Sequence, residues 1–378
     1  MDKKKICFIT AIPGTATAFL SAHMSALSQH YAVHYVCNSP EGAVAGLQYD
    51  EFKHVGIERG VSIGKDLKAV FQLYKYCKAQ KFDVVHSVTP KAGLLTALAG
   101  WMAHVPNRIH IFTGQVWATR KGFMRWLLKM LDKLTVLLDT HILVDGRSQR
   151  AFLEKEGVLK KGQATVFGEG SICGVDIHRF EPKAEVRKQI RQQIGAEDDM
   201  LVFLFMGRLN HDKGIGELYA AFDKLASETD NVFLLLIGDD EQDYISKLGQ
   251  FPNIKKTNFY YFEETHVPEK ILNAGDVFVL PSYREGFGTS VLEAASMGMP
   301  AITSDAYGVL DAIVEGETGL RCKCGDVSAL YGCMKFFYEH PDAVATMGAK
   351  SRERVSRDFS GERLTGYWEE FYHSLLDD

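Results

Sequence analysis

Apolar positions along this chain come in short runs set between longer segments of helical spacing. An apolar run at 4–10 ends in Ala11-Ile12-Pro13-Gly14, and helical spacing follows over 15–29. The same unit is predicted again with a strand at 33–37, a helix at 66–79 leading into Asp83-Val84-Val85-His86, and a helix at 92–103 leading into 108–112. Strands that alternate with helices predict parallel pairing, because a parallel neighbour is reached only through a crossover. A strand at 140–144, a helix at 148–156 and a strand at 164–167 extend the series. The alternation then breaks in the glycine-rich stretch 168–176 and restarts at 201, which predicts a domain boundary between 168 and 183. The second series has strands at 200–205, 232–237, 258–262, 277–280 and 300–304, a helix at 267–274, and 305–314 continuing the alternation. A closing helix is expected over 353–376, carrying Tyr367, Trp368, Phe371 and Tyr372. Gly14 follows the first strand without the spacing G-x-G-x-x-G, so the first turn carries no dinucleotide fingerprint.

The stretch richest in chemistry is 277–301, VFVLPSYREGFGTSVLEAASMGMPA, an apolar run, a turn punctuated by Gly286 and Gly288, then helical spacing. A strand that ends in such a turn and opens a helix points unpaired N–H groups at one spot, which suits a phosphate. Glu285 and Glu293, with seven residues between them, add acceptors that suit sugar hydroxyls. Ser290-Val291-Leu292-Glu293 also reads as a capping box, with Glu293 reaching back to the Ser290 amide, and the residues alone leave both readings open. Upstream, the strand at 200–205 runs into Met206-Gly207-Arg208-Leu209-Asn210-His211-Asp212-Lys213-Gly214. Arg208 offers a fork and Lys213 a point charge at the carboxyl end of a strand, where open α/β sheets bind ligands; two solvated surface cations are the alternative.

Between 120 and 138 the sequence RKGFMRWLLKMLDKLTVLL sets Lys121, Arg125, Lys129 and Lys133 at four-residue intervals, with Met124, Trp126, Leu127, Leu128, Met130 and Leu131 between them. Cations on one face and apolar groups on another fit a helix lying on anionic headgroups. An amphipathic helix with its apolar face on the sheet and its cations in water has the same pattern.

Composition narrows the class. With 46% hydrophobic and 24% charged residues, neither disorder nor a fibrous class is indicated, and 378 residues suggest two domains. A formal charge of -5 predicts no nucleic-acid stripe. Seven cysteines, an odd number spread along the chain, do not form a secreted disulfide framework and fit a reducing cytoplasm. Cys322-Lys323-Cys324 is the tight pair, and no second Cys/His pair stands at zinc spacing, so no metal is expected there. Met1-Asp2-Lys3-Lys4-Lys5 leads straight into the first strand with no signal-peptide core, and no apolar run is long enough to span a bilayer, so any membrane attachment is expected to be peripheral.

Gly207-Arg208-Leu209 with Lys213-Gly214, Pro281-Ser282 with Glu285-Gly286-Phe287-Gly288, and the E-x7-E pair ending at Glu293 resemble, together, the retaining glycosyltransferases of family 4. The resemblance runs along most of the chain. It implies the α/β GT-B fold: two Rossmann-like domains with parallel sheets facing across a cleft. An acceptor domain would occupy 1–175, a donor domain 176–355, and a C-terminal helix at 356–378 would cross back to the N-terminal domain. It implies that Arg208 and Lys213 hold the diphosphate of a nucleotide sugar, that Glu285 contacts the sugar hydroxyls and that Glu293 binds the ribose. Amides from Phe287 through Gly288 and Thr289 to Ser290 would meet the phosphates or sugar, and the loop from Phe262 to Glu264 would frame the base. Gly207, Gly286 and Gly14 complete the implied donor set, Gly14 as a loop residue of the acceptor domain, and Arg208, Lys213 and Glu285 are the implied catalytic groups.

The N-terminal half is similar to bacterial members that build lipopolysaccharide O-antigen, capsule or exopolysaccharide, through His86-Ser87-Val88-Thr89-Pro90-Lys91-Ala92-Gly93 and Phe112-Thr113-Gly114-Gln115-Val116-Trp117. That similarity implies a polyprenyl-diphosphate-linked saccharide acceptor and peripheral contact with the inner membrane from the cytoplasm. Lys91, Thr113, Lys121, Arg125, Trp126, Lys129 and Lys133 are the residues expected toward acceptor or membrane. Two positions depart from the pattern. Thr113-Gly114 stands where many relatives carry a His, and no Asn precedes Gly174-Val175-Asp176 in the hinge. His86 and His110 are therefore read as core or strand-end histidines. The implied activity is retaining transfer from a UDP-sugar, without metal or cofactor. A GT-B sugar-nucleotide 2-epimerase would use the same cleft but need further acid and base groups beside the sugar, and a silent nucleotide-sugar-binding partner would use the same residues.

Overall fold

The computed structural model describes the chain apart from Met1, Asp2, Arg59, Val61, Glu264 and Asp378. The chain divides into two compact units, Met1–Cys173 with Gly361–Asp378, and Gly174–Ser360. Among the described residues the first unit holds a seven-stranded sheet in the order β3-β2-β1-β4-β5-β6-β7. Its strands are β1 (Lys5–Ile9), β2 (Ala32–Cys37), β3 (Glu51–His54), β4 (Val84–Val88), β5 (Asn107–Phe112), β6 (His141–Val144) and β7 (Ala164–Thr165). Each pairing is parallel; β1 lies between β2 and β4, with Phe8 opposite Tyr35 on one side and His86 on the other.

A strand buried on both faces needs apolar groups at successive positions, and β1 supplies Ile6, Cys7, Phe8 and Ile9, each no more than 1% exposed. Cys7 and Ile9 face the helices Ile63–Gln80 and Pro90–Ala103 through Ala69, Leu73, Ala92 and Leu95. Ile6 and Phe8 face the helices Ser21–His30 and Gly361–Leu376 through Met24, Leu27, Trp368 and Tyr372. The closing helix expected over 353–376 is two helices, Pro341–Asp358 in the second unit and Gly361–Leu376 in the first. The break falls at the buried Phe359, whose ring packs on Phe287, and the chain then leaves for the Trp368 pocket of the first unit.

The second unit holds a six-stranded parallel sheet among the described residues, in the order β10-β9-β8-β11-β12-β13. Its strands are β8 (Leu201–Met206), β9 (Val232–Ile237), β10 (Phe259–Phe262), β11 (Val277–Leu280), β12 (Ala301–Ser304) and β13 (Gly319–Cys322). Residues 305–314 hold turns in place of the expected continuation, because Gly308 is pressed against the backbone of the 285–286 turn. β3, β13 and the helix Val327–Glu339 lie outside the predicted elements, although Leu330, Met334 and Phe337 of that helix fall at helical spacing.

Candidate functional site

In the second sheet the winding reverses between β8 and β11, and the loops that follow these two strands emerge side by side. In an open parallel sheet that switch point, at the carboxyl ends of the strands, is where a crevice forms. The β8 loop carries Gly207, Arg208 and a short 3-10 turn, His211–Lys213, whose cap Asn210 accepts the Lys213 amide at 3.2 Å. Gly214 then turns with φ 72°, and a Cβ there would stand 2.3 Å from the Pro281 carbonyl oxygen, so only glycine lets the two loops close on each other.

Three contacts seal the junction. The Tyr283 amide donates to the Asp212 carbonyl at 2.8 Å, Arg284 bridges the Asp212 carboxylate at 3.0 Å, and Lys213 Nζ pairs with Glu285 Oε1. Ser282 Oγ donates to the same Glu285 oxygen at 2.8 Å. The His211 ring stacks on Tyr283 at 4.9 Å, and Tyr283 donates to Glu217 at 2.7 Å. Lys213 and Glu285 keep only 17% and 12% side-chain exposure, so their pair is shielded from salt. Arg208 is 51% exposed and bridges Glu241 at 2.8 Å, while Asn210 donates to the other Glu241 oxygen at 2.7 Å. Both cations thus have carboxylate partners that a bound anion would replace.

The 277–301 stretch forms β11, the turn and the helix Thr289–Ser296. Gly288 is the N-cap, with no side-chain cap bond, which places Ser290 inside the first turn. The capping box is therefore not formed, and Glu293 lies two residues past the position from which it could reach back. Burial pushes the Glu293 carboxyl up to about 7, with Arg179 nearby opposing the rise and Glu269 adding to it. Arg179 and Glu269 bridge each other at 2.9 Å. Among the described residues no hydrogen bond reaches the Glu293 carboxylate, and the residue keeps partial exposure. Thr289 and Ser290 are partly exposed, whereas the Phe287 side chain is core, 3% exposed, so Phe287 could serve a ligand only through its backbone. Gly286 and Gly288 lie in the same turn. Phe262 ends β10, two strands from β8, half-buried with its ring 4.9 Å from Tyr260. Glu264 lies outside the described residues.

In the first unit Gly14 is not a loop residue. Pro13 starts the helix Pro13–Phe19 and Gly14 is its second residue, since proline fits a first helical turn without losing a hydrogen bond. Lys91, in the first turn of Pro90–Ala103, bridges Asp66 at 2.6 Å and donates to the Gly60 carbonyl. Thr113 follows β5, half-buried. His110 is buried with Nδ1 2.9 Å from Ser87 Oγ, and burial holds it down at about 3; His86 lies 2.8 Å from the Tyr372 hydroxyl and stacks on Trp368 at 5.0 Å. Both are core.

The 120–138 segment forms the helix Gly122–Leu138 with Lys121 at its N-cap, but its faces are not arranged as its pattern suggested. Arg125 and Lys129 turn inward, bridging Glu156 at 2.9 and 2.8 Å and lying over the buried Trp117 ring. Phe123 and Trp126 are exposed, at 71% and 55%, and stack on each other at 5.7 Å. The buried Trp117 and Glu156 supply the partners that draw the two cations in. Lys121 and Lys133 have no carboxylate partner among the described residues.

Residues 186–354 match the family model of the glycosyl transferases group 1, and residues 14–170 match that of the glycosyl transferase 4-like domain. The chain is 31% identical over 340 residues to the capsular polysaccharide biosynthesis glycosyltransferase CapM of Staphylococcus aureus, covering 88% of this chain and 87% of that one. This chain belongs to the group 1 glycosyltransferases. It is also 31% identical over 288 residues to the Escherichia coli UDP-Gal:alpha-D-GlcNAc-diphosphoundecaprenol alpha-1,3-galactosyltransferase, over 73% of this chain and 71% of that one. Among solved structures, Anabaena HepE in complex with UDP superposes with a TM-score of 0.80 at 19% identity, over 98% of this chain and all of that one (100%). Sucrose-phosphate synthase from Thermosynechococcus elongatus gives 0.82 at 21%, over 99% and 100%. At such identities the likeness speaks for the fold, which is GT-B.

Several residues of this glycosyltransferase's switch point have roles that the motifs do not assign, Asn210 and Ser282 inside the motif stretches and Glu241 and Gly308 outside them. Glu241 holds Arg208 and is itself held by Asn210, Ser282 holds Glu285, and Gly308 supports the 285–286 turn from behind. The run Gly238-Asp239-Asp240-Glu241 at the end of β9 was the available signal, since a third strand end at the same edge belongs to the same crevice.

Proposed function

We propose that this group 1 glycosyltransferase moves a sugar, with retention, from a UDP-sugar to a hydroxyl of a polyprenyl-diphosphate-linked saccharide in the synthesis of a bacterial capsule, O-antigen or exopolysaccharide. The observation that carries the reading is the switch point of the second sheet, where Arg208, Lys213, Glu285 and the 286–290 backbone converge. The named activities of the Staphylococcus aureus and Escherichia coli relatives support the pathway and the acceptor class. The first unit would supply the acceptor side and the second the donor side.

The sugar's anomeric carbon breaks its bond to the diphosphate oxygen and forms one to the acceptor oxygen on the same face; the acceptor proton goes to the departing diphosphate. Arg208 and Lys213 would take up the charge that develops on that diphosphate. Glu285, released from Lys213 by the phosphates and still held by Ser282, would accept sugar hydroxyls. Glu293 would take the ribose hydroxyls it lacks as partners now, and Phe262 would lie toward the base. Because fixed side-chain cations would supply this charge, activity is expected to survive chelator; loss in EDTA with recovery on adding manganese would remove the metal-independent reading. The enzyme would work at the inner face of the plasma membrane. Among the described residues no helix is long and apolar enough to cross a membrane. The deciding experiment incubates the protein with a panel of UDP-sugars and an undecaprenyl-diphosphate-linked N-acetylglucosamine, reading product mass and anomeric configuration. A glycosylated lipid product with the donor's configuration is expected. Conversion of donor without acceptor, or no turnover with any donor, would overturn the proposal.

A further inference from the structure

Ten of the twelve large hydrophobic side chains exposed among the described residues fall between 63 and 137, about a fifth of the chain. Nine of the ten sit on three helices of the first unit, Val116 lying in a turn. Ile63–Gln80 lies beside Pro90–Ala103, which lies beside Gly122–Leu138. The first presents Ile63, Leu67 and Phe71 at four-residue intervals, 76%, 66% and 53% exposed. The second presents Trp101 and the third Phe123 and Trp126. A soluble helix normally turns such a stripe inward, and here the inward positions are already filled by Ala69, Leu73, Ala92 and Leu95.

Cations predominate on this layer, although Lys65 pairs with Glu58, Lys91 with Asp66, and Arg125 and Lys129 with Glu156. The three helices carry eight Lys and Arg against two Asp, in a chain whose formal charge is -5. Both carboxylates are engaged, Asp66 by Lys91 at 2.6 Å and Asp132 by the Trp117 ring nitrogen at 2.7 Å. Lys68, Lys75 and Lys133 have no carboxylate partner among the described residues, and Lys75 instead lies 4.5 Å over the Phe71 ring. Cations interleaved with exposed tryptophan and phenylalanine suit the headgroup boundary of an anionic bilayer. A second copy of the same face would meet it with like charge.

We infer that the outer face of these three helices is a single lipid-docking surface whose occupant is an anionic bilayer. It inserts apolar side chains from Ile63–Gln80 as well as from Gly122–Leu138, with the cations as a surrounding set. The inference rests on the lipid-linked acceptor reading and goes beyond it, since the sequence offers no contact from Ile63–Gln80 and two cations of the basic helix face inward. The layer's near end also serves delivery. The first turns of Ile63–Gln80 and Pro90–Ala103 are joined by the Asp66–Lys91 bridge at the carboxyl edge of the first sheet, so the apolar face reaches the edge where an acceptor would enter.

The test is flotation of the full chain with phosphatidylcholine vesicles, with or without phosphatidylglycerol. Wild type should float with the mixed vesicles and poorly with phosphatidylcholine alone. Leu67→Ser with Phe71→Ser should lower the partition coefficient by about tenfold or more. Lys68→Gln and Lys75→Gln should each lower it by about fivefold, on the anionic vesicles only. Melting temperatures within a degree or so of wild type would show that the variants fold. Wild-type flotation by the Leu67 and Phe71 variant would overturn the three-helix surface, as would a sedimenting dimer that these substitutions dissociate. Transfer to a short-chain, water-soluble prenyl-diphosphate saccharide separates the two readings. Its persistence in the variants is expected, and its absence in wild type would strike the acceptor reading while leaving the flotation result to stand.

Discussion

Lys213 and Arg208 differ in how much a bound diphosphate gains from each. Lys213 is shielded beside Glu285 and Ser282, whereas Arg208 is half in water and its interaction is screened. Lys213→Ala should therefore weaken UDP binding by roughly a hundredfold and Arg208→Ala by roughly tenfold, measured by calorimetry. Equal, small losses in both would remove the diphosphate clamp. Glu293 gives a prediction with a sign. Its folded pKa is raised by burial to about 7 from an ordinary 4.5, so the neutral carboxyl is the favoured folded form. That contribution is present in full below the ordinary value and is lost as pH rises through about 7. Glu293→Gln should match wild type near the acid end of the range and be more stable by on the order of 2–3 kcal/mol at alkaline pH. The same variant should bind UDP more weakly. Stabilisation with unchanged UDP affinity would sink the ribose role. The motif made Glu293 visible, but its pKa depends on neighbours, Arg179 and Glu269, that are distant in sequence.

At the scale of elements, the turn after the short helix His211–Lys213 sets how closely the β8 and β11 loops approach. Gly214→Ala forces a backbone contact with Pro281 apart and imposes a positive φ on alanine. A cost of about 2–4 kcal/mol is expected, with loss of UDP binding beyond what stability explains. The unfolding midpoint and a UDP titration on the folded fraction would check it. The helix Gly361–Leu376 depends on Trp368, which stacks on His23 at 4.4 Å and on His86 at 5.0 Å and donates to the Ile172 carbonyl at 3.1 Å. Trp368→Ala should cost about 3–5 kcal/mol in chemical unfolding. Periodicity marked this helix but not its break at Phe359, because helical spacing runs on through a residue whose burial is decided by Phe287. The basic helix shows the same limit. Four cations at four-residue intervals specify a stripe, and only Glu156 and Trp117 decide that two of them turn inward.

For the whole molecule, the buried histidines are confined to the first unit. Burial lowers His23 to about 4, His110 to about 3 and His86 well below its ordinary 6.5. A depressed histidine contributes stability that is present above 6.5 and lost as pH falls toward the folded value, so the first unit should weaken on mild acidification while the second does not. All four tryptophans, Trp101, Trp117, Trp126 and Trp368, belong to the first unit, so tryptophan emission reports on it alone. Between pH 6.5 and 5 the emission midpoint should fall faster than the far-ultraviolet circular dichroism midpoint; parallel movement of the two would contradict the assignment. By itself the sequence determined the α/β alternation, the two-part division and the motif residues of the second unit, because these rest on period and local turn chemistry. Tertiary structure alone decided which cations pair with which carboxylates, that Glu293 stands without a donor, and that three helices show apolar faces to water. Those facts depend on which distant side chains fill the space first, and no local pattern carries that information.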